Sequence, residues 1–99
     1  MRIAVVSSDR VKVDERFSKA DRFLIYEQDK KGLKFIDERV SEPLPGGVFD
    51  RDMLEWVVDI IDDCDKVFMA RIQAAPARVL SDRGIMPVIY EGPIANIRA

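Results

Sequence analysis

The sequence has no histidine and a single cysteine, Cys64, among its 99 residues. One cysteine cannot form an intrachain disulfide, and a chain without histidine lacks the ordinary ligand set of a structural zinc site. No apolar run approaches the roughly 18 residues of a membrane-spanning helix, and the apolar residues 3–6 are too few for a signal peptide. We therefore expect a cytoplasmic protein that neither enters the membrane nor is exported.

The sequence also lacks a large excess of charge of either sign. Lysine and arginine number 16 against 18 aspartate and glutamate residues, which leaves a net charge of −2. Such a chain has no overall basic character that would attract nucleic acid. Its 47% hydrophobic and 34% charged residues are typical of a folded protein and exclude disorder. We expect one compact domain over residues 1–99.

Short segments rich in β-branched and aromatic residues predict five strands. Gly32 follows Asp29 in a turn sequence, so the second and third strands should form an antiparallel hairpin. Pro87 favours an edge position for the fifth strand. The predicted strands cover residues 2–8, 22–27, 33–40, 66–70 and 85–90.

The apolar period changes to about 3.6 residues after Asp50, which predicts a helix with Asp50 or Asp52 as its N-cap. A second helix is predicted with Pro76 near its first turn and Gly84 at its C-terminal cap. Residues 41–47 hold two prolines and two glycines and predict a loop, whereas residues 93–98 suggest a last short helix.

This order of elements predicts an α/β protein with a mixed five-stranded sheet flanked by helices. Short turns make the first three strands antiparallel neighbours, and the helical crossovers require parallel pairing of the last two. The predicted order is 3-2-1-4-5 with strand 2 antiparallel, which is the ribonuclease H-like topology.

Ligands of such sheets bind at the carboxyl ends of the parallel strands. Positive and polar side chains follow the first and fourth strands there, and arginines beside a helix N-terminus suit an anionic ligand. The other interpretation is that these are solvated loop charges offset by nearby acids. The candidate binding residues are Arg10, Arg16, Phe17, Ser18, Lys19, Arg71 and Gln73, with Lys12 nearby.

Catalytic chemistry is disfavoured at this edge. A nuclease would need three or four clustered carboxylates, and Asp9 is the one acid near the right place. No histidine can serve as a base, and Cys64 lies at the opposite edge among acidic residues that should raise its pKa. We expect Cys64 to be a small residue that closes a helix end, and Phe17, Phe23 and Trp56 to belong to the core rather than to a stacking surface.

Two blocks of sequence resemble the dinitrogenase iron-molybdenum cofactor biosynthesis family. The first covers residues 1–9, 13–20 and 23–26, and the second covers residues 63–65, 71–73, 76, 80 and 84–88. The resemblance spans nearly the whole chain in the correct order, and is to the carrier proteins of the family and to the C-terminal domain of its cofactor-assembly protein.

This resemblance implies a ribonuclease H-like fold and a non-catalytic role in metallocluster assembly. The chain would bind an iron-sulfur cluster or iron-molybdenum cofactor precursor and pass it between other assembly proteins. Members commonly carry His-Phe-Gly in the first loop, where this chain has Arg16-Phe17-Ser18, and Ile-Gly after the fourth strand, where it has Ile72-Gln73.

Both departures fall on the expected ligand edge and remove imidazole as a cluster ligand. A bound cluster would be held as an anion by Arg10, Arg16, Lys19 and Arg71, or through Cys64 pairs across a homodimer. The alternative is a divergent member that no longer binds a cluster and serves as a small protein-interaction or anion-binding module. An exposed edge of the third or fifth strand could then pair with another chain.

Overall fold

The computed structural model describes residues 1–44 and 50–97. Its strands are β1 (Arg2–Val5), β2 (Lys12–Val13), β3 (Arg22–Asp29), β4 (Gly32–Val40), β5 (Lys66–Met69), β6 (Met86–Ile89) and β7 (Gly92–Pro93). Five of them form a mixed sheet in the order β4-β3-β1-β5-β6. β3 pairs antiparallel with both β1 and β4, whereas β5 pairs parallel with β1 and β6. The mixed five-stranded sheet expected from the sequence is thus confirmed.

Two α-helices, α1 (Arg51–Ile60) and α2 (Ala74–Asp82), cover one face of the sheet. Of the two predicted caps, Asp50 is the one that caps α1, and its side chain accepts hydrogen bonds from the backbone N–H groups of Asp52 and Met53. The helices bury apolar side chains against alternate residues of the central strands. Within the described ranges, no helix has the length and hydropathy to cross a bilayer.

The opposite face of the sheet carries a ribbon in place of a helix. β2 pairs antiparallel with β7, and a short 3-10 helix, Ile94–Asn96, follows. A second core cluster lies between this ribbon and the sheet. It consists of Val13, Ile94 and Ile97 from the ribbon side and Ile3, Val5, Leu24 and Phe68 from the sheet. The last short helix predicted over residues 93–98 is present as the 3-10 helix Ile94–Asn96, and it begins one residue later than expected because Pro93 pairs in the ribbon. Arg98 lies outside the described residues.

Several predicted boundaries need correction. The first strand ends at Val5 rather than at residue 8, since the Ser7 hydroxyl and the Asp9 carboxylate bind backbone groups of the following loop. The hairpin of the second and third strands is confirmed, with a β-bulge in β4 at Ile36. Of the predicted loop 41–47, residues 41–44 form neither helix nor strand, and Pro45, Gly46 and Gly47 lie outside the described residues.

The aromatic residues divide between core and surface. Phe17 and Phe23 are buried as expected, with their ring centroids 5.9 Å apart. The prediction for Trp56 is wrong, because its side chain is 48% exposed. Leu54, Val57 and Val58 occupy the buried side of α1, and Trp56 lies on the side that they leave to solvent.

Candidate functional site

Backbone contacts join the first loop to the carboxyl end of β5. Residues Arg16 and Arg71 form an isolated parallel β-bridge. The Phe17 N–H donates to the Arg71 carbonyl at 2.9 Å, and the Ala70 N–H donates to the Glu15 carbonyl at 2.9 Å. Leu44 adds a hydrogen bond to the Ser18 carbonyl at 2.8 Å, so the loop is anchored on both sides. Segments far apart in sequence therefore meet at one edge of the sheet.

A cleft of about 470 Å³ opens where these segments meet. The carboxyl end of β6 closes its far side, since the Tyr90 N–H donates to the Met69 carbonyl at 2.9 Å. Charged and polar side chains face apolar ones across the opening. The residues that line it are Arg16, Ser18, Ala70, Arg71, Ile72, Gln73, Ile89 and Glu91.

The cleft has a surplus of positive charge and of hydrogen-bond donors. Arg16 and Arg71 are both exposed, and neither guanidinium forms an ion pair with any residue of the ranges 1–44 and 50–97. Glu91 is the single acidic side chain among the lining residues. Two fixed cations against one carboxylate favour an anionic ligand, and the planar guanidinium groups can each donate two hydrogen bonds to it.

The N-terminus of α2 adds to this potential. Gln73 is the N-cap, but its side chain accepts no capping hydrogen bond, and the first turn holds no acidic residue. The first N–H groups of a helix have no carbonyl partner within it, so those of Ala74 and Ala75 remain available, while Pro76 has none. The positive end of the helix dipole therefore lies beside the cleft, and no acidic residue in the first turn of α2 neutralises it.

The structure unites four of the seven candidate binding residues, namely Arg16, Ser18, Arg71 and Gln73. Arg10 does not line the cleft, and its guanidinium pairs with Glu38 at 2.9 Å. Phe17 is 1% exposed and packs against Phe23, so its side chain anchors the first loop in the core and offers no surface to a ligand. Lys19 is exposed at the end of the 3-10 helix Phe17–Lys19, outside the lining.

Ile89 is a lining residue that the sequence did not place at the ligand edge, whereas Glu91 was expected at that edge but was not a candidate binding residue. Ile89 reads as a strand residue with a buried side chain, yet it is 66% exposed because β6 is an edge strand. Glu91 follows the fifth predicted strand, whose carboxyl end belongs to the ligand edge, so its position was the available signal. Together with Ile72, Ile89 gives the cleft an apolar wall opposite the arginines.

Asp9, the acid nearest to a nuclease position, has a structural role. Its carboxylate accepts hydrogen bonds from the backbone N–H groups of Val11 and Lys12, at 2.9 and 3.0 Å, and these hold its pKa below the ordinary value. The described residues contain no group of three or more acidic or cysteine side chains that could hold a metal ion. The side chains of a two-metal centre are thus not assembled in this part of the chain.

Cys64 lies at the opposite edge, just after α1, as expected. Its side chain is 4% exposed, and burial, reinforced by the neighbouring Asp63 carboxylate, raises the pKa of its thiol to about 12. A thiol in this state is a poor metal ligand because ligation requires the thiolate. Cys64 is also remote from the cleft, since it precedes the amino end of β5 and the cleft lies at the carboxyl end.

Comparison with known proteins decides the family. The family model described as dinitrogenase iron-molybdenum cofactor matches residues 1–98. The chain belongs to this family. Its curated relatives include the FeMo cofactor biosynthesis protein NifB of Herbaspirillum seropedicae, 37% identical over 87% of this chain, and that of Chlorobaculum tepidum, 32% identical over 93%. The chain spans 17% and 22% of the length of those two relatives.

Two solved structures share the fold of this chain. The crystal structure of PH0822 aligns with a TM-score of 0.68 and 20% identity, covering 98% of this chain and 84% of that one. The NMR structure of a NifB-like protein from Thermotoga, TM1290, aligns with a TM-score of 0.59 and 16% identity over 94% and 79% of the two chains. At these identities the likeness concerns the fold.

Proposed function

We propose that this chain is a non-catalytic carrier that binds an anionic iron-sulfur cluster or iron-molybdenum cofactor precursor in the cleft between β5, β6 and the first loop. The proposal rests on two guanidinium groups, Arg16 and Arg71, which have no ion-pair partner among the described residues and lie beside the N-terminus of α2. The family membership and the FeMo cofactor biosynthesis named for the relatives supply the class of ligand.

The lining residues would hold such a ligand by charge and hydrogen bonds. Arg16 and Arg71 would donate to sulfide or carboxylate atoms at its surface, with Ser18, Gln73 and the free amides of α2 as further donors. Ile72 and Ile89 would cover an apolar side of it. No lining residue is a cysteine or a histidine, so the ligand would enter and leave without a bond to iron being made or broken. Release to the next protein would then be fast.

The same donor set supports a second candidate function. Arginine, serine and glutamine side chains with backbone amides bind oxyanions generally, and iron favours softer ligands than these. A divergent family member that has lost the cluster would bind another anion in this cleft, or act as a small interaction module. The absence of any thiolate or imidazole from the lining favours this reading over a cluster held by direct coordination.

Further expectations belong to the same proposal. We infer that residues 1–99 form one domain of the ribonuclease H-like type, on the basis of the strand order and the single reversed strand β3. The chain would act in the cytoplasm, and its partners would be other metallocluster-assembly proteins that donate or receive the ligand. No chemical step is assigned to any residue of the cleft.

An anaerobic titration tests the proposal. The purified chain is mixed with an iron-molybdenum cofactor precursor and passed through gel filtration, and visible absorbance and iron content are measured across the protein peak. We expect stoichiometric iron in the peak, at least tenfold less for the Arg16→Ala/Arg71→Ala variant, and no change for Arg78→Ala. Arg78 is an exposed arginine of α2 that does not line the cleft, so it controls for loss of positive charge.

A colourless, iron-free peak from the unchanged protein would contradict the carrier role. Isothermal titration calorimetry with inorganic sulfate and with phosphate then tests the second candidate function. Anion binding that is lost in Arg16→Ala/Arg71→Ala and kept in Arg78→Ala would support an anion-binding module. If none of these probes binds, the protein-interaction module is the candidate function that remains.

A further inference from the structure

β4 is a nine-residue strand at the free edge of the sheet, and it exposes large apolar side chains. Phe35 is 53% exposed, Ile36 39% and Val40 78%. No described strand pairs with its outer side. The other edge strand, β6, has four residues with Pro87 among them, and proline has no N–H to donate to an added strand. β4 is therefore the edge that another strand can extend.

The bulge at Ile36 changes which side chains of β4 share a face. Phe35 lies opposite Tyr26, and their rings are in contact at 5.6 Å, on the face of the second core cluster. Lys34, its neighbour, therefore lies on the helix face. After the bulge, odd-numbered residues of β4 lie on the helix face instead of even-numbered ones. Asp37 shows this, because it lies opposite Ile25, whose side chain belongs to the core under the helices. Lys34 and Asp37 thus share the helix face, as does Arg39.

Two copies of β4 can pair antiparallel about a two-fold axis in few registers. Side chains directly opposite each other in the two strands must lie on the same face of the joined sheet. Because the bulge changes which alternate residues of β4 lie on each face, only two registers meet this condition and pair most of the strand. One places Lys34 opposite the partner's Arg39, which sets like charges against each other. The other places Lys34 opposite the partner's Asp37, a pair that occurs twice, and brings Phe35 and the bulged residue Ile36 of both copies next to the two-fold axis.

Charge complementarity selects the second register. Lys34 is exposed and forms no ion pair with a residue of the described ranges, while Asp37 is exposed and carries one contact, to Arg39 Nε at 3.0 Å. Each Asp37 has its second oxygen free to accept from the partner's Lys34. The exposed rings and aliphatic side chains of Phe35 and Ile36 would then meet near the axis and leave water together.

We propose that two copies of this chain form a dimer by antiparallel pairing of their β4 strands, with Lys34 opposite the partner's Asp37. The two sheets then join into one continuous sheet. Three strands, β3, β1 and β5, separate β4 from β6 in each copy, so the dimer leaves both clefts open. The interface is independent of the proposed ligand, and failure of either proposal leaves the other standing.

Charge-reversal variants test both the dimer and its register. Sedimentation velocity over a concentration series is measured for the unchanged chain, for Lys34→Asp and for Asp37→Lys, with circular dichroism to verify that each variant is folded. We expect a reversible dimer for the unchanged chain and at least about tenfold weaker association for each variant, because two attractive pairs become two repulsive ones. Arg78→Asp, the same change of charge at an exposed site of α2, should dimerise normally.

A mixture of the two variants gives the decisive result. Lys34→Asp and Asp37→Lys chains present opposite charges to each other at both pairs, so an equimolar mixture should form a heterodimer although each variant alone associates weakly. A monomer at every concentration of the unchanged chain would overturn the proposal. So would a dimer that both variants retain, or a mixture in which the two variants stay apart.

Discussion

At the scale of single residues, a cluster of two arginines around one carboxylate lies at the edge of the sheet opposite the cleft. Asp63, just after α1, accepts hydrogen bonds from Arg39 Nη1 and Nη2 at 2.6 and 2.9 Å, and from Arg2 Nη1 at 2.7 Å. These contacts join β1, β4 and the end of α1 at one end of the sheet. The bidentate Arg39 guanidinium, with help from Arg2, holds the pKa of Asp63 well below its usual range despite some burial.

Asp63→Asn should lower the free energy of unfolding by about 1 kcal/mol at neutral pH, a modest value because the Asp63 side chain is 42% exposed. A carboxyl whose pKa is depressed by folding stabilises the protein above its unfolded pKa, near 3.8, and this contribution fades as the pH falls below that value. Urea unfolding at pH 7 and at several values below 4 measures the difference.

Asp82→Asn provides the matched control for this prediction. Asp82 is exposed at the end of α2 and has no side-chain hydrogen bond or ion pair with the described residues. Its substitution should change stability by less than about 0.5 kcal/mol at every pH. A difference between Asp63→Asn and the unchanged chain that stays constant down to the lowest pH would contradict the assignment of the effect to the carboxylate charge.

The residues of the cleft could be predicted in part. Arg16, Arg71, Ser18 and Gln73 follow strands whose carboxyl ends must share an edge, so topology alone brings them near each other. Arg10 and Lys19 meet the same criterion but lie outside the lining. The direction of a loop side chain depends on local turns and partners, such as Glu38 for Arg10, and the sequence pattern carries no signal for these.

At the scale of elements, the two helices differ in how their N-termini are satisfied. Asp50 closes α1 with its carboxylate, and Asp52 adds a favourable charge in the first turn. α2 has neither, because the Gln73 side chain makes no capping hydrogen bond and the first turn holds no acidic residue. The helix that borders the cleft is therefore the one that keeps its amides free. Sequence predicted the cap of α1 from residue type and left α2 without one.

Asp50→Ala should cost about 1 kcal/mol in the free energy of unfolding, because two backbone N–H groups of α1 lose their acceptor. Asp50→Asn keeps an oxygen acceptor and should retain most of the stability, which separates the hydrogen bonds from the charge. Thermal and urea unfolding of the three proteins measures this. Equal losses for alanine and asparagine would mean that the charge, and not the cap geometry, matters.

At the scale of the whole molecule, the sheet is covered by unlike layers. Helices α1 and α2 pack on one face, and the ribbon of β2 and β7 with the following 3-10 helix packs on the other. Ile94 belongs to this thin second layer and is 5% exposed. The ribbon also forms part of the loop that carries Arg16 and Ser18, so the packing of the second layer positions the cleft.

Ile94→Ala should lower the free energy of unfolding by about 2–4 kcal/mol, because it leaves a cavity between the ribbon and the sheet. Ile89→Ala is the matched control, since the same atoms are removed from a side chain that is 66% exposed. Its effect should be below about 1 kcal/mol. Equilibrium urea unfolding compares the two, and similar losses would show that the second layer contributes little to stability.

Local signals were enough to predict the α/β class, the hairpin of β3 and β4, both helices and the family, because hydrophobic period, turn residues and motif order depend on residues close in sequence. Other features depend on contacts between distant parts of the chain. The β2 and β7 ribbon joins residues about eighty positions apart through two pairs of residues, Lys12 with Pro93 and Val13 with Gly92. The exposure of Trp56 and Ile89 depends on which elements cover them, and the lack of an ion-pair partner for Arg16 and Arg71 within residues 1–44 and 50–97 depends on where the nearby acidic side chains point.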